Sequence, residues 1–578
     1  ALNEIRKHLP LLSAWAECTY SLPSNLYYEG EVLLSSCGLH QGDPLASLLF
    51  CYGIHPTVKK ISSNVPMLKI NTWLYDDGSV AGSKHQLQAV VDILLEDGPA
   101  LGIVLNKEKC AVWCGSHNQL DRDPLDRDIP RSNDRGFVLL GAPVGEHNFT
   151  ETTILDKIRS IEKMLVLLPG LGDPHLQFCL LRSCLSIPKI MYILRTCNPS
   201  RLEEVLLTFD HLQQNSLEEI LGVYLDTPSW TQATLPVPLG GMGLREAITY
   251  APVAYVSSII QSLPLVRAIL GNDRLLPSTD IALQMVREAS DDQSFTLEAL
   301  AAEETPQKRL SHAVDLHRQN LILSSAKDQR MQARLRSLSL PHAGAWLNAV
   351  PSKPLGLHLL PQEFRLASLY RLGLPVYPSH LSSCPSCGKE IDALGDHAIP
   401  CASENERICR HNSLRDHIHQ LAGSACLNPV KEARSLVPGS KTKPGDVYLP
   451  CWKGRPAALD VTVTSPLCNS YVRQAALTTG AALDLRKIAK RREHHNKCQR
   501  QGVAFFPLVV ETLGGWDSEG ADLIRAMSRQ AAIRSNTDPS TLARHTFQRM
   551  GILLQRANAL LLAARGPPAP PDHLSGVN

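Results

Sequence analysis

Apolar positions follow two different periods along the first half of the chain. Over residues 1–150, short apolar strands are mixed with helices and glycine-rich turns, which predicts an α/β region. From Ile154 the apolar residues recur at helical spacing until Pro169, and further helical patterns continue to about residue 270. The pattern therefore predicts an α/β region at 1–150 and a helical region at 151–270.

The second half shows a similar change of pattern. The stretch 271–350 is charged and has little strand pattern, so we expect a helical connector over 271–380. A short Cys/His segment occupies 381–403, and a second α/β pattern covers 404–530. Residues 531–578 indicate a helical end with a proline-rich, disordered tail. The predicted fold class is α/β plus α, divided among several domains.

Composition narrows the class of protein. With 578 residues, 44% of them hydrophobic and 20% charged, the chain can bury several cores and is neither wholly disordered nor fibrous. Apolar runs such as Val503–Val510 are far shorter than the roughly 18 residues of a membrane helix, so we expect no membrane association. Sixteen cysteines are too few for a disulfide scaffold, which favours a reducing compartment, the nucleus and/or the cytoplasm.

Two carboxylates meet at a predicted hairpin. Asn71–Ala81 has the pattern of a strand, a tight turn and a strand, with Asp76-Asp77-Gly78 at the bend. Adjacent aspartates repel each other unless a divalent cation lies between them, and two-metal phosphoryl transfer requires such a pair. The alternative is that Asp-Gly is only a favoured hairpin turn.

Sequence blocks around this hairpin favour the metal site. Upstream lies GLHQGDPL at Gly38–Leu45, and downstream lies GIVLNKEKC at Gly102–Cys110. In this order and spacing, the blocks resemble the reverse transcriptases of non-LTR (LINE-type) retrotransposons. Leu139–Gly145 is similar to the primer-grip hairpin of that family, and Leu235-Pro236 with Leu239–Leu244 is similar to its post-palm signature.

The resemblance makes 1–150 a partial fingers and palm region. It implies that Asp76 and Asp77 are catalytic ligands of Mg²⁺ or Mn²⁺. The chain departs from the family at Leu74, where an aromatic residue is usual. The first catalytic aspartate of the family would lie upstream of residue 1. We therefore expect an N-terminally truncated chain that does not polymerise by itself.

The resemblance also implies contacts with nucleotides. Gln41 and Gly42 would line the pocket for the incoming dNTP, and Lys107 or Lys109 would approach phosphate as point charges. Template RNA and primer or target DNA would be the other partners, and 151–270 would be a thumb-like region. From the residues alone, Gly42 could instead belong to a helix-start turn, and the lysines to a solvated charge run.

Four soft ligands lie close together in the Cys/His segment. Cys384 and Cys387 form a CxxC pair, and His397 and Cys401 follow within the next fourteen positions. Three thiolates and one imidazole suit a closed, tetrahedral Zn²⁺ site with a structural role. The pattern therefore predicts a zinc knuckle, with His411 as a weaker alternative ligand.

Two further aspartates follow the predicted knuckle. Asp446 precedes one predicted strand and Asp460 lies inside the next, so that a hairpin would bring them together. Paired carboxylates can hold Mg²⁺ for phosphodiester cleavage. The order resembles the PD-(D/E)XK restriction-like endonuclease of some LINE-type elements, although Thr462 stands where the lysine of that motif is expected. Lys487, on the following predicted helix, is the candidate for this catalytic role.

The acidic residues of this region have alternative interpretations. Asp446 and Asp460 could be ordinary strand-end residues, and Glu432, which lies between the predicted knuckle and Asp446, could be a plain surface acid. Glu511 lies in an apolar run where an unpaired carboxylate would be costly to bury, so it is a reserve candidate.

Basic residues are concentrated in one predicted helix. The net charge of +2 hides a cluster of seven basic residues against one acid between Arg486 and Arg500. Such a cluster could neutralise phosphates, with Lys490, Arg491 and Arg492 as the predicted nucleic-acid contacts. The alternative is a solvated helix side.

Together these patterns predict a retrotransposon-derived RNA-directed DNA polymerase fragment with a C-terminal endonuclease-like domain. The alternative is a decayed or domesticated copy that binds nucleic acid without catalysis. The absent first aspartate and the displaced lysine favour that alternative.

Overall fold

The computed structural model divides the chain into two compact units, residues 1–153 and 154–578, which are described separately. The chain is mixed α/β with mostly helices. The structure describes residues 2–36, 38–40, 42–114, 128–132, 135–271, 276–378, 383–401, 404–433 and 444–567. Gln41 and most of the predicted disordered tail lie outside these described residues.

The first unit consists of small helices and antiparallel hairpins. Its helices are α1 (Leu2–His8), α2 (Pro10–Tyr20), α3 (Ala46–Asn64) and α4 (Lys84–Asp97). Its hairpins are β1 (Ser24–Tyr28) with β2 (Glu31–Ser35), β3 (Ile70–Leu74) with β4 (Asp77–Ala81), and β5 (Gly136–Leu139) with β6 (Ala142–Gly145). The packed part is small, because its main buried cluster joins α3 to α4 through Ile61, Val65, Val90 and Ile93.

Most of the second unit up to residue 372 is helical. The helices are α5 (His147–Leu165), which begins in the first unit, α6 (Pro174–Leu180), α7 (Ile187–Thr196), α8 (Glu203–Leu221), α9 (Thr227–Thr234), α10 (Ala247–Leu270), α11 (Pro277–Ser290), α12 (Leu297–Ala301), α13 (Pro306–Ser325), α14 (Gln329–Leu338) and α15 (Pro361–Leu372). The helix predicted from Ile154 is α5, and its periodic residues Ile154, Ile158, Ile161 and Leu165 are buried.

A buried arginine holds the glycine-rich segment 239–244 in this helical part. Arg371 of α15 is 2% exposed, and its guanidinium donates to the carbonyl oxygens of Gly241 (2.9 Å) and Val237 (3.0 Å). Burial lowers the pKa of Arg371 to about 9. A Cβ atom at Gly241 would lie 2.0 Å from the carbonyl oxygen of Leu235, so only glycine fits there. The LGGMGL sequence is therefore fixed by packing and by one internal cation.

The remainder of the second unit is built around a four-stranded sheet in the order β10-β9-β8-β7. Its elements are α16 (Glu404–Ser424), β7 (Val430–Lys431), β8 (Val447–Trp452), β9 (Arg455–Thr464), α17 (Val472–Leu477), α18 (Ala481–Gln499), β10 (Ala504–Glu511), α19 (Ser518–Ser535) and α20 (Pro539–Ala563). Strands β9 and β10 are parallel and are connected through α17 and α18, whereas the other pairs are antiparallel.

Alternate residues of β9 face opposite sides of this sheet. Leu459 and Val461 pack in the cluster that includes α16, α19 and α20, whereas Ala458 packs against Cys498 of α18. Because side chains alternate along a strand, Asp460 faces α18. The middle strand therefore supplies core residues to one side and a carboxylate to the other.

Two segments of the second unit, Pro174–Thr196 and Ala247–Ile269, have the length and mean hydropathy of a membrane span. This is weak evidence for a membrane, because core helices of soluble proteins have the same properties. Phe178 and Ile190 in the first segment, and Tyr250 and Ala254 in the second, belong to the main buried cluster of the unit.

Candidate functional site

Asp446 and Asp460 are brought together by the β8–β9 hairpin. Val447 pairs with Leu459, so Asp446 and Asp460 occupy the next opposite positions of this antiparallel pair. The Asp446 amide donates to the Leu459 carbonyl (2.7 Å), and the Asp446 carboxylate accepts from the Val461 amide (2.7 Å). These bonds fix the first carboxylate at the end of the hairpin, beside the second.

Asp460 is a buried carboxylate with two donors. Lys490 Nζ lies 3.1 Å from its carboxylate, and Thr462 Oγ1 donates to it at 3.1 Å. Burial raises the pKa of Asp460, Lys490 opposes that effect, and the negative charge of Asp446 adds to it. The two carboxylates therefore interact unfavourably, and a cation beside them would relieve this repulsion.

The structure places Lys490, not Lys487, at this carboxylate. Lys487 Nζ instead lies 3.5 Å from Asp517 and 3.8 Å from Asp484. Both lysines are on the same helix, α18, and both have their ammonium groups partly buried against the domain. The sequence predicts a lysine of the following helix at this site. The structure agrees on the helix, α18, but the lysine is Lys490, three residues after Lys487.

His411, the weaker alternative zinc ligand predicted from the sequence, is a member of this cluster instead. Its Nε2 donates to the Asp446 carboxylate at 3.2 Å, and this hydrogen bond raises the pKa of the His411 imidazole. His411 does not belong to the Cys/His cluster of the described residues. It lies on α16, so the site combines groups from helices on both faces of the sheet.

Glu432, interpreted from the sequence as a surface acid, and Glu511, the reserve candidate, are placed differently. Glu432 accepts from Arg415 at 2.5 Å, and its amide donates to the Asp446 carbonyl. Glu511 is 1% exposed, accepts from Ser337, and has its pKa raised by burial to about 7. On β10 it lies four residues beyond Pro507, the partner of Asp460, or roughly 13 Å along the strand. Glu511 is therefore not part of the Asp446–Asp460 site.

The four predicted zinc ligands form one cluster. The Sγ atoms of Cys384, Cys387 and Cys401 and one ring nitrogen of His397 all lie within 4.8 Å of one another. Ligands at a Zn–S distance of about 2.3 Å would be about 3.8 Å apart in a tetrahedron, so this donor set fits the ion. Hydrogen bonding with Cys401 lowers the pKa of Cys387 to about 6, whereas burial and the same hydrogen bond raise the pKa of Cys401, so Cys387 is the thiol of this pair that loses its proton more readily. The cluster could bind zinc.

A buried ion pair connects the Cys/His loop to α14. Arg334 and Asp396 are 2.5 Å apart, and each side chain is 1% exposed. Asp392 accepts from the amides of Asp396 (2.9 Å) and His397 (2.7 Å). The backbone next to the histidine ligand is thus held in place by side chains that do not themselves belong to the ligand set.

The Asp76-Asp77 pair lies at the tip of the β3–β4 hairpin, but the turn is not the predicted one. Leu74 pairs with Asp77, so the two turn residues are Tyr75 and Asp76, and Tyr75 has a φ of 56°. Gly78 lies within β4, and the Asp-Gly turn proposed as the alternative is not formed. Both aspartates are exposed. In the part of the chain that the structure describes, they do not form a metal-ligand group with a third acid.

The other predicted palm residues that the structure describes lie in local turns. Gly42 has a φ of 91°, as a glycine turn requires, and Gln41 lies outside the described residues. Lys107 lies 3.4 Å from Asp128, and the Lys109 amide donates to the Asn106 side chain. The predicted charge run therefore forms a short 3₁₀ turn whose backbone is capped by Asn106.

Some basic residues of α18 form ion pairs, and the others do not. In addition to Lys487 and Lys490, Arg491 is paired with Glu519 at 2.5 Å. Arg486, Arg492, Lys497 and Arg500 have no ion pair with any residue that the structure describes. Of the three predicted nucleic-acid contacts, Arg492 is therefore the one with its charge unpaired.

Comparison with known proteins gives one informative relationship. No family model matches the sequence. The chain is 27% identical, over 230 residues, to the Retrotransposable element SLACS 132 kDa protein of Trypanosoma brucei gambiense. The chain is related to a retrotransposon protein. The match covers 38% of this chain and 18% of the relative.

Zinc binding at the Cys/His cluster is directly testable. We expect about one zinc per chain, and we expect Cys387→Ser to lose most of it, because serine replaces a soft thiolate by a poor ligand. Metal analysis of the purified chain measures the stoichiometry. Cys451→Ser changes an exposed cysteine outside the cluster and serves as control. Equal zinc content in the two variants would contradict the assignment.

Proposed function

We propose that this chain is part of a non-LTR retrotransposon protein whose second unit cuts DNA. The observation that carries the proposal is the cluster of His411, Asp446, Asp460 and Lys490 at the end of one hairpin. The relationship to a retrotransposon protein supports nucleic acid as the class of partner. DNA is the substrate that a restriction-like endonuclease arrangement favours.

The arrangement fits a divalent cation on chemical grounds. Asp446 and Asp460 are hard oxygen ligands that raise each other's energy when both are ionised, and Mg²⁺ favours such ligands. When bound, the ion supplies Lewis-acid stabilisation and lowers the pKa of a water molecule. His411 orients the Asp446 carboxylate through its hydrogen bond. Lys490 holds a positive charge beside Asp460, where it can stabilise charge that develops on a scissile phosphate.

The first unit belongs, in this proposal, to a reverse transcriptase palm. Asp76 and Asp77 are exposed at a hairpin tip, where they can reach a metal ion and a nucleotide. Polymerisation would need a further carboxylate from outside the described residues. Primer extension on an RNA template, by any longer form of the protein that supplies this carboxylate, should be lost in Asp76→Ala.

The nuclease proposal is tested by nicking of a supercoiled plasmid. We expect Mg²⁺-dependent conversion to the relaxed form by the unmodified chain and no conversion by Asp460→Asn, which keeps the shape of the side chain and removes its charge. Asp484→Asn, an exposed acid of α18, is the matched control and should nick normally. If the unmodified chain retards the plasmid on a gel but leaves it supercoiled, the chain is a nucleic-acid binder without this activity.

A further inference from the structure

Two helices reach the Asp446–Asp460 site from opposite faces of the sheet. Helix α16 packs with β8 and β9 on one face, and α18 packs on the other. Each helix brings one side chain to one carboxylate: α16 brings His411 to Asp446, and α18 brings Lys490 to Asp460. The site is therefore bordered by a helix on each side.

An arginine lies one helical turn before each of these contacts. Arg407 precedes His411 by four residues, and Arg486 precedes Lys490 by four. Residues four apart share one stripe of a helix, so each arginine is a neighbour of the group that touches the carboxylate. The offset along each helix axis is about 6 Å.

The guanidinium groups of both arginines lack a bonding partner among the described residues. Arg407 is exposed and Arg486 is half-buried. Neither has a hydrogen bond or ion pair with any residue in the described ranges. The neighbouring cations differ, since Arg415 contacts Glu432 and Asp416, and Arg491 contacts Glu519. Folding therefore leaves an unpaired guanidinium one helical turn before the carboxylate contact on each side of the site.

We propose that Arg407 and Arg486 form a phosphate clamp, in which each arginine holds a backbone phosphate of duplex DNA on one side of the scissile phosphodiester. This inference rests on the nuclease function proposed above. Phosphates repeat every 3.4 Å or so along the axis of one DNA strand, so an offset of about 6 Å reaches the neighbouring phosphates. The planar guanidinium fork suits two phosphate oxygens at once. The first turn of α16, which contains Arg407, also presents the positive end of the helix dipole.

The clamp predicts a defined salt dependence of DNA binding. Each lost phosphate contact reduces the slope of log K against log salt by about 0.9. For Arg407→Gln with Arg486→Gln, we expect the slope to fall by about 1.8 for a short duplex, measured by fluorescence anisotropy without Mg²⁺. The lysine variants, Arg407→Lys with Arg486→Lys, should restore most of the slope because they keep both charges. Arg534→Gln, an exposed cation of α19, should leave the slope unchanged.

Plasmid nicking with the same variants separates the clamp from the nuclease proposal. With Mg²⁺ and saturating protein, the double glutamine variant should nick about tenfold more slowly, because the scissile phosphate is less well positioned. A nicking chain whose slope and rate are unaffected by the double substitution would overturn the clamp alone. A chain that never nicks, but whose slope falls as expected, supports the two phosphate contacts and overturns the nuclease function. Equal melting temperatures of all variants show that the fold is unchanged.

Discussion

Replacement of Lys490 by methionine is expected to slow metal-dependent DNA nicking by about 100- to 1,000-fold, the usual effect of removing one preorganised charge from an active site. Lys490 Nζ lies 3.1 Å from Asp460, and methionine keeps the apolar stem while removing the ammonium. Single-turnover nicking of a supercoiled plasmid, at saturating protein, measures the chemical step without a contribution from weaker binding.

Lys487→Met is the matched control for this experiment. Lys487 contacts Asp517, which also accepts from the Gly520 amide at the beginning of α19. Its loss should leave the nicking rate within about threefold, because Asp517 keeps its hydrogen bonds from the Val509 and Gly520 amides. If Lys487→Met proves the more damaging substitution for the rate, the assignment from the sequence is correct and the one from the structure is wrong.

The largest effect on stability is expected at Arg371. Arg371→Met removes both donors of the buried Gly241 carbonyl, whereas the Val237 carbonyl keeps its hydrogen bond from the Gly240 amide (3.2 Å). An unsatisfied buried acceptor costs about 1–3 kcal/mol, so the free energy of unfolding should fall by about that amount. Urea unfolding followed by tryptophan fluorescence measures the loss, and faster hydrogen exchange at Met242 would locate it.

Arg365→Met is the control on the same helix. Arg365 is exposed and donates one hydrogen bond to the Ile220 carbonyl at 2.9 Å. We expect a cost below about 1 kcal/mol, because water can replace that donor. If the two arginine variants unfold at the same urea concentration, Arg371 does not hold the glycine-rich segment as described.

The sequence predicts features that depend on local spacing. The helical periodicity from Ile154 and the CxxC spacing are both local patterns, and the structure contains the corresponding helix, which begins earlier at His147, and the Cys/His cluster. The pairing of Asp446 with Asp460 also follows from local order, because a hairpin joins two adjacent strands.

Features that depend on where elements cross were not predictable in the same way. Leu483, Lys487, Lys490 and His494 share one stripe of α18, so periodicity alone does not select between the lysines. Which lysine contacts Asp460 is decided by the point at which α18 crosses β9. The partners of Arg371 are backbone carbonyls from a segment about 130 residues away, and carbonyl groups leave no signature in a sequence.

The turn at Tyr75-Asp76 illustrates a different limit. Asp-Gly is the favoured pair for a two-residue turn, but the register places Trp73 opposite Gly78 instead. A Cβ atom at Gly78 would lie 2.5 Å from the Trp73 ring, so the glycine makes room for the indole across the hairpin. Gly78 is therefore required by cross-strand packing against Trp73 and does not form the turn.

The alternation along β9 restricts how this protein can change over evolutionary time. Because Leu459 and Asp460 face opposite sides of the sheet, inserting or deleting a single residue between them and Arg455 would turn the acid into the apolar interior and the leucine toward α18. Lys453 and Gly454, at the far end of the hairpin, are free of that constraint, since a longer loop there leaves every downstream residue on its own side. Insertions and deletions among descendants of this gene should therefore occur in the Lys453-Gly454 loop and be rare in β9.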